Sequence, residues 1–150
     1  MSGFNKNESV ERAIQVLDLT DETFTDQRGW VLNPLKSASL AGVTPQNFHL
    51  ASLSPGSSRG NHAHLNATEW LLIFNGGVLF SWTAMDNKGV GSEITSLQIE
   101  HPTFLSIAPG TAHRVQNISK DTVYLIAFND VSAVETVRFP VSIPGEHTLS

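Results

Sequence analysis

The 150-residue chain contains no cysteine, which excludes disulfides, thiolate metal sites and cysteine nucleophiles. Charge is also scarce: 9 Lys and Arg stand against 14 Asp and Glu, a net charge of −5. No basic run offsets that balance, so nucleic acid is not the expected partner. No apolar stretch approaches the roughly 20 residues that cross a bilayer, and no membrane partner is expected. Met1 to Arg12 is polar and lacks the apolar core of a signal peptide, which makes the cytoplasm the expected location. A sustained 3.6-residue period is missing throughout; Leu35 to Leu40 allows one helical turn at most. There is no internal repeat, low-complexity block or linker.

What is present is a hydrophobic content of 40%, in the range of a globular protein. A chain this long hides roughly 70% of its unfolded surface on folding, enough for a real core in one domain. Its apolar residues fall in short runs broken by turn residues. Strands are expected near Ile14–Leu19, Gly29–Leu32, Asn47–Leu53, Glu69–Phe74, Val78–Ala84, Glu93–Ile99, Thr103–Ile107, Ala112–Gln116, Val123–Phe128 and Val134–Phe139. Asn75-Gly76-Gly77 and Asp86-Asn87-Lys88-Gly89 are turn signals. This spacing predicts an all-β sandwich or barrel. The expected division is a flexible N-terminal arm over 1–12, a β-barrel over 13–140 and a C-terminal tail over 141–150.

The chemistry concentrates in two places. Between Gly56 and Gly76 lie His62 and His64, two apart, and Glu69, five residues after the second His. In an extended strand, side chains two apart share one face roughly 6–7 Å from each other, so both rings can aim into one cavity. Later, Pro109-Gly110-Thr111-Ala112-His113 with Asn117 adds a third imidazole. Three imidazoles and a carboxylate suit one divalent transition metal. Zn, Fe, Mn, Ni and Cu all accept such donors, and the set does not choose among them. Hydrogen-bonded structural histidines are the blander alternative for the pair, and a surface carboxylate for Glu69. Against the latter, Glu69 precedes the apolar run Trp70–Phe74, and a buried carboxylate requires a cation or donors.

These residues resemble the cupin family. Its first motif, G-x5-H-x-H-x3,4-E-x6-G, is matched at every fixed position by Gly56, His62, His64, Glu69 and Gly76. Its second, G-x5-P-x-G-x2-H-x3-N, is matched by Gly110, His113 and Asn117; Pro102 stands at the early glycine and Ala108 at the proline. The resemblance implies a single-domain double-stranded β-helix, or jelly-roll barrel, with the metal or substrate site inside it.

Within cupins, Arg59-Gly60-Asn61-His62-Ala63-His64 is similar to the R-G-x-H-x-H segment of dTDP-4-dehydrorhamnose 3,5-epimerase-like proteins and dTDP-sugar 3,4-ketoisomerases. Asp26-Gln27-Arg28-Gly29 is similar to their D-x-R-G opening. This implies keto-enol chemistry on a nucleotide-sugar, by an isomerase or epimerase. His62 or His64 would take a proton from carbon, and Arg59 would hold the diphosphate or a sugar oxygen. Imidazole, with a pKa near 6.5, suits that task. The sequence departs from the ketoisomerases at Leu65, where they carry Lys, and at Glu69, where they carry Gln. Those enzymes work without metal, whereas Glu69 restores the metal-binding set. A metal-dependent sugar isomerase satisfies both signals. A metal-dependent dioxygenase and a non-enzymatic sugar-binding barrel are the alternatives.

Other residues carry less. Arg59 reads equally as a solvated loop residue. His49 differs in parity from Phe48 and Leu50, so it lines the cavity or lies on the surface. Asn61 and Asn117 read as turn and strand-end residues, and Trp82 as core or cavity wall. Tyr124 is an acid by type only, and His101 and His147 read as incidental. On the run after Glu69, Trp70, Leu72 and Phe74 share the outer face, and a barrel strand facing water would carry polar residues there. A second layer within the chain or a second subunit must cover them. A homodimer is therefore expected, since cupins commonly pair through such a sheet.

Overall fold

The computed structural model describes residues 13–17, 19–86, 91 and 93–142. The expected arm over 1–12, the turn residues Asn87 to Gly89, His147 and most of the tail over 141–150 lie outside the described residues. In chain order the strands are β1 (Ile14–Leu17), β2 (Thr23–Asp26), β3 (Gly29–Leu32), β4 (Gln46–Leu53), β5 (Ser58–His64), β6 (Glu69–Ile73), β7 (Val78–Ala84), β8 (Thr95–Ile99), β9 (Thr103–Ile107), β10 (Thr111–Asn117), β11 (Val123–Asn129) and β12 (Thr136–Arg138). Leu35 to Leu40, expected to hold at most one helical turn, forms two short 3₁₀ turns. Among the described residues no helix is long and apolar enough to cross a membrane.

Two five-stranded antiparallel sheets form a jelly roll, the architecture the sequence resemblance implied. One runs β1-β9-β6-β11-β4 and the other β12-β5-β10-β7-β8. Apart from β7 and β8, the paired strands of these two sheets are not consecutive in the chain, which is why no short-range pattern fixes their order. The inner faces carry the expected apolar residues: Leu71, Ile73, Leu105 and Leu125 from the first sheet meet Val78, Phe80, Trp82 and Val115 from the second. Trp82 is thus core wall, as its neighbours Val78 and Phe80 suggest.

The outer face of β6 is covered from within the chain. Trp70 and Leu72 are buried with Leu19, Leu40, Phe104 and Phe128, and Leu32 of β3 packs against them. A separate ribbon, β2 paired with β3, supplies part of that lid. Strand β2 gives little sequence signal, because Phe24 is its one large apolar residue and is exposed. Farther along the same face, Phe48, Leu50 and Tyr124 remain more than half exposed. The expected strand Val134–Phe139 shortens to β12, because only Thr136 to Arg138 find partners on β5.

Candidate metal centre and family

His62 and His64 both stand on β5, and the register sets His62 opposite His113 of β10. Glu69 opens β6, which belongs to the opposite sheet. The carboxylate therefore crosses the barrel to meet the imidazoles. Glu69 Oε2 lies 2.5 Å from His64 Nε2, and Oε1 lies 3.5 Å from His113 Nε2. Ring centroids of His62 stand 4.6 Å from those of His64 and 4.9 Å from those of His113. One ligand atom from each of the four residues falls within a 4.8 Å span. The four expected ligands are thus brought together, three strands and two sheets contributing.

The surroundings orient the rings. The Thr111 carbonyl can only accept, so His113 Nδ1 donates to it at 3.2 Å and turns Nε2 toward Glu69. His64 Nδ1 meets Thr136 Oγ1 at 2.9 Å, so its Nε2 also points inward. Such outer contacts are what fix metal-binding imidazoles. Phe80 stacks against His113 and walls the site from the core.

Electrostatics follow from the crowding. Burial lowers the His62 pKa, and the neighbouring His113 and His64 rings lower it further, to about 4. For Glu69, burial alone would raise the pKa, but hydrogen bonds from His113 and His64 outweigh it and hold the carboxyl well below the usual range. For His113, burial alone would lower the pKa, but the hydrogen bond to Glu69, the charge of Glu69 and the Thr111 carbonyl together outweigh it and raise it. An anion among three imidazoles is an arrangement that one cation in their midst would complete. The N₃O donor set fits a divalent transition metal.

A bulge decides where Arg59 points. Between the pairs His113↔His62 and Arg114↔Gly60, β5 carries one extra residue, Asn61, at φ +54°. The parity of β5 flips there, and Arg59 comes opposite Val115, an interior residue. Residues opposite each other across a ladder share a face. Arg59 therefore lies on the same face as His62, exposed, with Nε donating to the Ser52 carbonyl of β4 at 2.9 Å. Gly60, at φ +93°, has no room for a side chain: a Cβ there would stand 2.6 Å from the His113 carbonyl. Asn61 and Asn117 are both held by backbone hydrogen bonds. Asn61 Oδ1 accepts from Val141 N, and Asn117 Nδ2 donates to Leu53 O and Asp121 O.

Other candidates fall elsewhere. The Asp26–Arg28 pair closes the turn of the β2–β3 ribbon, outside the barrel. His101 lines a cavity of about 530 Å³ on the outer face, away from the four ligands. Tyr124 pairs with Ser52 and is exposed on that same outer side. One residue gains importance that its sequence neighbourhood does not signal. Trp82 stands opposite His113, on its interior face, and its buried Nε1 has no hydrogen-bond partner among the described residues. A Trp at an inward position of a motif-adjacent strand is the available signal, and it does not distinguish core from donor.

The family profile of the polysaccharide biosynthesis C-terminal domain matches residues 24–135. The chain belongs to that family. No curated protein sequence matches it. Among solved structures it is similar to a dTDP sugar isomerase from Desulfovibrio desulfuricans, with a TM-score of 0.71, 14% identity, and 85% of this chain and 83% of that one covered. It is also similar to a variant of the 3,4-ketoisomerase QdtA from Thermoanaerobacterium thermosaccharolyticum in complex with TDP-4-keto-6-deoxyglucose (TM-score 0.67, 15% identity, 84% and 87% covered). The capsular polysaccharide assembling protein CapF from Staphylococcus aureus is a third (TM-score 0.55, 17% identity), with 85% of this chain set against 35% of that one. At these identities the likeness establishes a common fold.

Proposed function

We propose that the protein is a nucleotide-sugar isomerase or epimerase that enolises a keto-sugar, with one divalent transition metal held by His62, His64, Glu69 and His113. The observation that carries this reading is the convergence of those four donors within 4.8 Å inside the barrel. When bound, the metal supplies Lewis acidity toward a ketone oxygen. Arg59, turned onto the same face by the bulge, offers a planar fork that suits a diphosphate or a sugar oxygen. Trp82 offers an unspent N–H beside His113. His62, kept neutral at cellular pH by its lowered pKa, keeps a ring lone pair free for a metal. The substrate class is supported by the isomerases that share the fold, one of them complexed with TDP-4-keto-6-deoxyglucose.

The exposed outer-face residues Phe48, Leu50 and Tyr124 support a homodimer, since contiguous apolar surface marks interaction sites. A cytoplasmic location completes the reading, because a charged nucleotide diphosphate does not cross a membrane unaided.

Elemental mass spectrometry of protein purified without chelators, followed by incubation with a 4-keto nucleotide-sugar in deuterated water, tests the proposal. About one metal per chain and deuterium entry next to the ketone support it. Metal without exchange, accompanied by oxygen uptake in the iron-, nickel- or copper-loaded protein, would replace it with a dioxygenase. Exchange without metal, even after reloading, would leave a metal-free ketoisomerase with His62 and His64 as acid and base.

A further inference from the structure

If His62, His64 and His113 are occupied as ligands, enolisation requires a separate group to accept the proton from carbon. The geometry points to His49 as that group, a catalytic base on β4 at the open side of the barrel. The inference rests on the isomerase reading and adds a residue to it.

Three observations place His49 there. First, its register partner is Ala127, an interior residue of β11, and Ala127 in turn pairs with Leu71 of β6. His49, Ala127 and Leu71 thus form one cross-strand row on the inner face. Leu71 lies two residues from Glu69 on that face. With about 4.8 Å between strands and about 6.8 Å between alternate residues, His49 and Glu69 stand roughly 12 Å apart at Cα. Ala127, buried between them, has the shortest side chain of that row, and the inference places a sugar ring with one edge at the ligand cluster and the other at His49.

Second, the tautomer of His49 is set. Its Nδ1 donates to the Asn47 carbonyl at 2.8 Å, because a carbonyl can only accept. Nε2 is left with its lone pair, exposed at the rim. This carbonyl-held imidazole is the arrangement of a base.

Third, the carbonyl that holds it belongs to a built feature. Between the pairs Ala127↔His49 and Asn129↔Gln46, β4 carries one extra residue against β11. Asn47 sits at that bulge with φ +53°, a conformation uncommon outside glycine. Its side chain is fastened by Nδ2 to Asn129 Oδ1 at 3.2 Å and to Val131 O at 3.0 Å. The two Asn bulges, Asn47 on β4 and Asn61 on β5, lie one on each sheet. Asn61 turns Arg59 onto the inner face, and Asn47 presents its carbonyl to His49. Bulges recur next to active sites because they re-aim side chains.

In the step assigned to His49, the C–H bond next to the ketone breaks and its proton passes to Nε2. The electron pair of that bond forms the carbon–carbon double bond of an enolate, and the carbonyl oxygen takes the negative charge. The imidazolium then returns a proton to carbon or exchanges it with solvent.

The test uses the metal-loaded protein with a 4-keto-6-deoxy nucleotide-sugar in deuterated water, following loss of the proton next to the ketone by NMR. His49→Gln is expected to slow exchange by about 100-fold or more, the scale of a lost general base, with KM and metal content near those of the parent. Added imidazole should restore part of the rate to His49→Ala. Nitrogen-15 shifts of the unliganded protein should show His49 protonated at Nδ1. Exchange in His49→Gln within threefold of the parent overturns the role of His49 and leaves the isomerase reading intact. A His49 protonated at Nε2 also overturns it. Absence of exchange in the parent protein overturns both.

Discussion

His64 and Glu69 are five residues apart in the chain, yet they meet from opposite sheets, Nε2 to Oε2 at 2.5 Å. The short connection between β5 and β6 carries the chain from one sheet to the other, so a local spacing becomes a contact across the barrel. The contact joins a carboxylate to an imidazole that are both only about one-eighth exposed. Replacing Glu69 with Gln keeps the shape and removes the charge. Elemental analysis of Glu69→Gln should show metal falling from about one per chain to a small fraction of that. A full complement of metal in the variant would remove Glu69 from the ligand set.

Proton occupancy in the metal-free protein should be uneven. His62, lowered to about 4, stays neutral through most of the acid range, whereas His113 is raised above 6.5 and titrates last. Their effects on stability oppose each other. The His62 contribution is fully present above 6.5 and is lost as pH falls toward 4. That of His113 is present below 6.5 and is lost as pH rises through its folded value. Glu69 raises the pKa of both rings, so Glu69→Gln should lower both midpoints. Imidazole NMR titration of the two proteins checks this; a His113 midpoint unmoved by the substitution would contradict it.

Gly60 is required on two counts, its φ of +93° and the absence of room beside the His113 carbonyl. Gly60→Ala should destabilise the fold by about 1–3 kcal/mol from backbone strain alone, and more if β10 cannot yield. Urea denaturation measures this. Stability equal to the parent would mean that the bulge relaxes at no cost.

Trp82→Phe removes the unpartnered N–H and keeps most of the ring. An unmet buried donor is unfavourable, so stability should hold or rise. If that N–H serves the substrate, KM should rise about fivefold to tenfold, the scale of one hydrogen bond of ~1 kcal/mol. An unchanged KM would assign Trp82 to the core alone.

Leu50 is 71% exposed on the outer face of β4, beside Phe48. Leu50→Lys should shift the sedimentation of the protein from dimer to monomer without unfolding it. A parent protein that is monomeric at every concentration would refute the dimer.

Much of the candidate site was legible in the sequence because the chemistry is local there. His62 and His64 share a face by strand periodicity, and Glu69 with its apolar neighbours signals a buried carboxylate. His113 is marked by the turn Pro109-Gly110 before it. Less legible were the ribbon β2–β3, whose short strands bury little, and the direction of Arg59 and His49. Arg59 lies past a one-residue bulge at Asn61, which reverses every side chain beyond it. His49 keeps the inward parity of Ala51 and Leu53 but alternates with Phe48 and Leu50, which are equally apolar, so the pattern does not say which face is buried. Asn occurs in many turns, so its presence does not announce a bulge.

The sequence by itself determined an all-β chain with a four-residue polar set of three imidazoles and a carboxylate. Side-chain chemistry and two-residue periodicity are properties of short segments. The tertiary structure alone decided that Glu69 approaches from the opposite sheet, that Arg59 and His49 turn to the inner face, and that Trp82 keeps an unspent donor beside His113. Those outcomes depend on register between strands distant in the chain, which is set by the packing of the whole core.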